Sequence, residues 1–417
     1  MRNSSVIRQA IIFFLLVGTV KVFAQDTLSV GADEQYPFIQ QEKNEIINAT
    51  ALSSFYEKLY QLKKTKKGQL NIVHIGDSHI QADFLTQTVR VLLQNEFGNA
   101  GRGFVFPGRV AHTNEPLSIY SSSTSQWEAK RIVYTNQPLP IGLGASTLQT
   151  TQPQAKFTLR IKDDAGLNYG FNGITTFYLK DSSSFNVALN DSSGRSLAFI
   201  GPYTSENFLN YSKVTLPYSL HKLEFQMEQP TPNQNHFTFF GVSLSNGNPG
   251  ILYHAIGGNG AKYKHYLAAR FFTQQVQALI PDLIIVSLGT NEAIENPVDQ
   301  QFLKQAEELI GILQKNNPQA GLIITTPADF YRKRTRRNPG VESVHQQLLT
   351  LTQKKNTGCW DLYAVGGGKH SADQWRKNKL MQSDGIHFTR AGYALQGKML
   401  YQALTKGYSD YVHVRYP

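Results

Sequence analysis

From residue 115 to residue 246 this chain carries no helix-period pattern, and that interruption restricts its fold more than any single motif. Short alternating, β-branched or aromatic runs stand there instead: Arg131 to Thr135, Lys156 to Lys162, Gly173 to Lys180, Phe185 to Leu189, Ser196 to Ile200, Lys213 to Pro217, Lys222 to Glu228 and Phe237 to Leu244. Gly, Pro, Asn, Asp and Ser clusters separate them at spacings that suit an all-β sandwich. On either side, strand and helix patterns alternate. Leu70 to Ile75 is a short apolar run, and Ile80 to Phe97 predicts one helix, with Leu85, Val89, Leu92 and Leu93 on a stripe and Gly98 as its stop. After the β block come a strand at Ile251 to Ile256, a helix at Tyr263 to Leu279 and a strand at Asp282 to Leu288. Helices at Asp299 to Lys315, Val341 to Lys355 and Arg390 to Thr405 alternate with strands at Leu322 to Thr326 and Thr357 to Tyr363. This order predicts an α/β fold: a three-layer α/β/α domain of about five parallel strands, interrupted by an all-β sandwich insertion. An insertion is tolerated where its two ends meet at the surface. The expected parts are 25–114 and 247–417 for the α/β core and 115–246 for the insert. Residues 25–48 read as a loosely structured leader, and Thr50 to Lys67 as a helix ending in a basic run.

The first 24 residues read as a secretory signal. Arg2 and Arg8 precede the apolar stretch Ala10 to Val20, and Val22-Phe23-Ala24 offers small or apolar residues at a cleavage site. The stretch is shorter than the roughly 20 apolar residues of a membrane span, so no stable membrane anchor is expected. Export to the periplasm follows as the expected location. The chain has one cysteine, Cys359, which excludes an intramolecular disulfide framework and reads as a buried structural thiol. The formal charge is +11; Arg2, Arg8 and Lys21 contribute three of these, leaving +8 beyond residue 24. That excess favours anionic surroundings, and no motif for reading nucleic acid is present. Oligomeric state is not legible.

The chemistry-bearing residues cluster at strand ends. Gly76-Asp77-Ser78-His79 follows the run Leu70 to Ile75, and Asp384-Gly385-Ile386-His387 lies near the C-terminus. A serine hydroxyl is a poor nucleophile unless a base takes its proton and a third group orients that base. Ser78, His387 and Asp384 can fill these roles; Ser78 can equally be the N-cap of an ordinary strand-helix turn. Acyl transfer also needs donors aimed at an oxyanion. Ile251 to Ile256 empties into Gly257-Gly258-Asn259-Gly260, and Asp282 to Leu288 runs into Gly289-Thr290-Asn291-Glu292. The N–H groups of Ser78 and a glycine, together with the Asn291 amide, supply three donors at the sheet edge where open α/β folds bind ligands.

These four blocks, in this order, resemble those of the SGNH (GDSL-type) hydrolases, whose Ser, Gly, Asn and His they match as Ser78, Gly258, Asn291 and His387. Gly257 or Gly260 can stand in for Gly258. Within that superfamily the chain is most similar to the Gram-negative peptidoglycan O-acetylesterases and O-acetyltransferases. Gln81-Ala82-Asp83 after the serine block, Gly98 to Phe106, Gly258-Asn259-Gly260-Ala261 and the run from Gly366 through Trp375 to Tyr393 carry this narrower likeness. It implies a β insert like a carbohydrate module, an O-acetylated glycan as substrate, O-acetylated muramic acid foremost, and no cofactor. His387 would deprotonate Ser78, Asp384 would fix the imidazole, and water would release the acyl group. A base of this kind must be neutral to act, so activity is expected to fall with acid.

Other readings remain open. A sugar hydroxyl in place of water would make a transferase, and xylan or another acetylated polysaccharide could replace peptidoglycan. Asp77, His79, Asn291 and His387 could belong to a metal-dependent hydrolase, although no upstream Asp-x-His is present and no histidine follows Asn291-Glu292. A glycan-binding protein on a hydrolase scaffold is the non-enzymatic alternative. The run Arg332-Lys333-Arg334-Thr335-Arg336-Arg337 should emerge at the Ser78 edge, where it could recognise carboxylates or stay solvated. Trp375 could stack on a sugar or pin its loop. His74 reads as a core residue, and His79 as lining the site or the helix start.

Overall fold

The computed structural model describes residues 36–134, 139–202, 210–295 and 297–417. The chain divides after Pro37 into two units; Tyr36 and Pro37 are the described residues of the first, and every element below belongs to the second. The expected signal, residues 1–24, lies outside the described residues.

In chain order the strands begin with β1 (Ile46–Ile47) and β2 (Gln69–Gly76). There follow β3 (Gly103–Val105), β4 (Ile119–Ser122), β5 (Glu128–Arg131), β6 (Ser146–Thr150), β7 (Lys156–Ile161) and β8 (Phe171–Tyr178). Then come β9 (Asn186–Asn190), β10 (Ser196–Ile200), β11 (Tyr211–Leu220), β12 (Lys222–Glu228) and β13 (Phe237–Ser245). The last four are β14 (Gly250–Gly257), β15 (Leu283–Ser287), β16 (Gly321–Thr325) and β17 (Gly358–Trp360). The helices are α1 (Ser53–Thr65), α2 (Ser78–Gln81), α3 (Phe84–Phe97), α4 (Tyr263–Ala268), α5 (Phe272–Ala278) and α6 (Thr290–Ala293). They continue with α7 (Phe302–Asn316), α8 (Pro339–Lys355), α9 (Leu362–Val365), α10 (Ala372–Lys377) and α11 (Arg390–Arg415).

Strands β14, β2, β15, β16 and β17 lie side by side and parallel, and β1 closes the β17 edge antiparallel. Numbered by chain position, the parallel strands run 2-1-3-4-5, a doubly wound order whose ligand crevice opens between the C-terminal ends of the first and third. Here those are β2 and β15, the strands that precede Ser78 and Asn291. Their sequences are near-continuous apolar runs, as burial on both faces requires: Ile72, Val73, Ile75 and Leu283 to Val286 are all buried. Helices α1, α3 and α11 pack together, and α7 packs with α4, α5 and α8, which gives the two covering layers.

The middle of the chain forms two antiparallel sheets, β10-β9-β12-β7-β4 and β11-β8-β13-β6-β5, with β3 joined to β13. Between them lies an aromatic core in which Phe157 stacks on Phe225 at 4.7 Å and meets Phe239 edge-on at 5.1 Å.

Four local expectations differ. The single helix expected over Ile80 to Phe97 is two, broken at Asp83, whose φ is +60°. The Asp83 carboxylate explains the break: it accepts from Thr86 Oγ1 (2.6 Å), Arg90 Nη1 and Nη2 (3.0 and 2.8 Å) and Arg102 Nη2 (2.6 Å), all buried. The expected helix Tyr263 to Leu279 is also split, because Phe271 turns away to donate its N–H to Ile141 O (3.2 Å) and to pack on Phe240. The leader contains the edge strand β1, which pairs Ile46 with Trp360 and Ile47 with Cys359. Helix α11 continues ten residues beyond Thr405 to Arg415, and Tyr411 and Tyr416 hydroxyls donate to Glu57 on α1 at 2.8 and 2.9 Å.

Candidate active site

Strand β2 delivers the chain into a one-turn helix, α2, whose N-cap is Asp77 rather than Ser78. The Asp77 carboxylate accepts the His79 N–H at 3.0 Å, which leaves Ser78 at the first helical position with its hydroxyl free to point outward. As the first helical residue, Ser78 has no intrahelical acceptor for its own N–H. Ser78 Oγ lies 2.9 Å from His387 Nε2, and His387 Nδ1 lies 2.7 Å from Asp384 Oδ2. The other Asp384 oxygen accepts the Ile386 and His387 N–H groups at 2.9 and 3.0 Å, so one carboxylate fixes both the loop and the imidazole. Partial burial pushes the Asp384 carboxyl up, but these N–H groups and the imidazole outweigh it and hold the group below its ordinary range.

The histidine loop is anchored from below. Met381 pairs with Phe388, Gln382 N–H donates to His387 O at 2.8 Å, and Phe388 sits edge-on to Trp375 at 5.0 Å. Trp375 has no exposed surface, and its Nε1 donates to Gly366 O at 2.9 Å. The ring therefore pins the loop and has no face for a sugar, which corrects the stacking alternative. Arg332 and Arg334 belong to an exposed turn closed by the Arg332–Arg336 bridge; Tyr331, just before it, donates its N–H to Gly385 O at 2.7 Å. That turn borders the histidine loop, but neither arginine lines the cavity above Ser78.

That cavity has a volume of about 320 Å³ and is lined by Ser78, Ala82, Phe84, Asn114, Glu115, Asn259, Gln382, His387 and Tyr393. Asn114, Glu115 and Gln382 carried no signal in the sequence, because each lies in a loop and is brought to the site by tertiary structure.

The donors around Ser78 differ in part from expectation. The Gly258 N–H is spent on Gly76 O at 3.1 Å and so does not face the serine. Glycine is required there for packing: a Cβ on Gly258 would stand 2.9 Å from Ile132 Cγ2 and 3.1 Å from Ala145 Cβ. Gly257 lies tighter still, since its Cβ would meet Gln81 N at 2.1 Å, so β14 can approach α2 only as bare backbone. The turn closed by Ala261 N–H on Gly258 O holds Gly260 at φ +79°. Within it, the Asn259 and Gly260 N–H groups have no acceptor among the described residues, and Asn259 lines the cavity.

Asn291, in the first turn of α6, donates its amide to Ala261 O (3.0 Å) and to Asp77 Oδ2 (3.3 Å). Burial pushes the Asp77 carboxyl up to about 6, against hydrogen bonds and the nearby His387 that pull it down. His79 Nδ1 bonds Tyr393 Oη at 2.9 Å, and its ring lies 5.2 Å from that of His387. Burial and the neighbouring imidazole push His79 down to about 3, which keeps it neutral. The four residues of the metal alternative thus have their side chains engaged in hydrogen bonds, Asn291 with Asp77 and Ala261, His79 with Tyr393, and His387 with Ser78 and Asp384. Among the described residues no group of three or more His, Cys, Asp or Glu is arranged to hold a metal ion. His74 is a satisfied core residue, bonded to Tyr253 Oη (2.6 Å) and Ser287 Oγ (2.7 Å), and Cys359 is buried.

The GDSL-like lipase/acylhydrolase family model matches residues 231–395, a segment that holds Gly258, Asn291, Asp384 and His387, while Ser78 lies across the insertion. No curated protein matches the chain. Among solved structures, a peptidoglycan O-acetylesterase is 20% identical with a TM-score of 0.72, covering 86% of this chain and 96% of that one, and the two share a fold. A lipase/acylhydrolase from Enterococcus faecalis (19% identity, TM-score 0.31, 38% of this chain and 77% of that one) also matches. So does a family two carbohydrate esterase from Cellvibrio japonicus (12%, 0.30, 71% and 99%). With its four motif blocks in order, the matched segment and the shared fold, the chain is an ester hydrolase similar to the GDSL-like lipase/acylhydrolase (SGNH) family.

Proposed function

We propose that this ester hydrolase is an exported serine esterase that removes O-acetyl groups from a cell-envelope glycan, peptidoglycan foremost, in the periplasm. The observation that carries the reading is the continuous relay from Ser78 Oγ through His387 to Asp384, with steps of 2.9 and 2.7 Å, at the floor of an open polar cavity. In this reading His387 Nε2 takes the Ser78 proton as Oγ attacks the acetyl carbonyl, and Asp384 holds Nδ1–H and stabilises the imidazolium. The oxyanion falls to the Ser78 N–H, the Asn259–Gly260 turn and the Asn291 amide. Both Asn291 N–H bonds are made in the resting site, so the long one to Asp77 is the bond that would be exchanged for the oxyanion. Alcohol leaves with the proton on His387, and water, activated by the same base, then releases acetate.

Three observations support the substrate class. A neighbour of the same fold is a peptidoglycan O-acetylesterase, the charge beyond residue 24 is +8, and the cavity is open and polar. Among the described residues no helix is long and apolar enough to cross a membrane. The test is acetate release from O-acetylated peptidoglycan and acetylated xylan in parallel, with Ser78→Ala as control. Release from peptidoglycan, lost in the control, is expected. Release from xylan alone would move the substrate elsewhere, and acetyl transfer to added sugar in place of release would make the enzyme a transferase.

A further inference from the structure

A second cavity, of about 290 Å³, opens beside the first. Arg109, His112, Ser123, Ser125 and Trp127 are among its lining residues, and the two cavities share a wall: Glu115 lines the Ser78 cavity while its ion-pair partner Arg109 lines the neighbour. The volume lies near the lower end for small-molecule sites, about 300 Å³, which suits one sugar ring rather than a chain.

We propose that this cavity is a second sugar position, taking a carboxylate-bearing unit of the same polymer whose ester meets Ser78; this rests on the reading of the substrate as an acetylated glycan. The Arg109 guanidinium is built into place. Glu115, only 3% exposed in its side chain, accepts Arg109 Nε at 3.0 Å and Arg109 N at 3.3 Å, while the Arg109 side chain is 57% exposed. Its face lies 4.6 Å from the Tyr120 ring centre. The Glu115 oxygens are further occupied by Ser121 N (3.0 Å) and Ser121 Oγ, so their lone pairs face the protein. The two terminal amino groups of Arg109 have no acceptor among the described residues. A guanidinium held by its Nε and by stacking, with its terminal groups open, is a preformed fork for a carboxylate. Trp127 supplies the opposite chemistry: its Nε1 is spent on Ser123 Oγ at 2.9 Å and one edge on Phe157, leaving a half-buried ring for the apolar face of a sugar.

The chain's three tryptophans make the test direct. Trp360 and Trp375 are buried at 1% and 0% exposure, so Trp127 is the one whose fluorescence a ligand in this cavity can reach. The full chain carrying Ser78→Ala is titrated with N-acetylmuramic acid, N-acetylglucosamine and glucuronic acid while tryptophan emission is read. The first two sugars differ by a carboxyl-bearing ether, and the third carries a carboxylate from a different source. Saturable change with one or both acids is expected, about ten-fold weaker with N-acetylglucosamine, about ten-fold weaker in Arg109→Gln and absent in Trp127→Phe. Equal response to all three sugars, no saturable response, or an unchanged response in Arg109→Gln would overturn the proposal. Hydrolysis of a small aryl acetate by the parent enzyme is measured alongside. If the parent itself hydrolyses no ester, the esterase reading fails while the titration still decides the sugar position.

Discussion

At the scale of single residues, the site separates groups that react from groups that hold them. Ser78→Ala should lower kcat by at least about 10³-fold, with the protein still folded, because only the hydroxyl is removed from a helix that Asp77 caps. Asn291→Ala should cost about 10²-fold to 10³-fold in kcat on the same aryl acetate if its amide reaches the oxyanion; a loss below five-fold would assign that donation to backbone alone. Glu292 behaves oppositely. It is buried, accepts the Tyr263 N–H at 2.9 Å through one oxygen, and burial pushes its carboxyl up to about 7. Because the folded pKa lies above the ordinary value of 4.5, the folded state holds the proton more tightly than the unfolded chain. Its contribution is fully present below about pH 4.5 and is lost as pH rises through about 7. Glu292→Gln keeps the accepting oxygen and removes the titration, so its melting temperature should match the parent at pH 5 and exceed it at pH 8. Ser78, Asp384 and His387 stood out in the sequence because each belongs to a short block with a fixed offset from a strand or turn. The true state of the Gly258 N–H did not, since which of three neighbouring glycines donates to Gly76 depends on a close approach that no local pattern encodes.

At the scale of elements, the break between α2 and α3 ends the one-turn helix that carries Ser78. Asp83 bends the chain through a left-handed conformation and is held there by two buried arginines, one from α3 and one from the segment that leads into the β sheets. Burial alone would raise its carboxyl, but Arg102 and Arg90 overcome that and take it down to about 2. With the folded value below the ordinary 3.8, the stability it adds is present at neutral pH and is lost as pH falls from about 4 through about 2. Asp83→Ala would leave two guanidinium groups buried without their counter-ion and should cost about 3–5 kcal/mol in urea unfolding. Alternation of strands and helices was readable because parallel strands covered on both faces are apolar runs. The break was not, because it falls before the stripe of Leu85, Val89 and Leu93 and leaves that stripe intact, and the partner that drives it, Arg102, lies on another segment. Strands β4 and β6 also escaped notice: Ile119-Tyr120-Ser121-Ser122 and Ser146-Thr147-Leu148-Gln149-Thr150 are rich in hydroxyls, and their pairing partners make them strands.

At the scale of the whole molecule, the β sheets and the α/β sheet share their polar ties. Tyr169 Oη donates to Gln94 Oε1 on α3 at 2.9 Å, Arg102 Nε to Ser118 Oγ at 3.2 Å, and Leu143 N–H to Gln275 Oε1 on α5 at 2.7 Å. Residues 38–417 form one compact unit. Calorimetry should therefore record one unfolding transition, with fluorescence and far-ultraviolet circular dichroism melting together; two separated transitions would show that the sheets unfold independently. The Asp83 knot has a mechanical consequence as well. Since the same carboxylate follows the helix that carries Ser78 and holds Arg102 at the root of the β layer, a shift of that layer should also disturb the serine. An aperture fixed in this way predicts that esters are selected by a rigid gauge and that turnover owes nothing to a closing stroke.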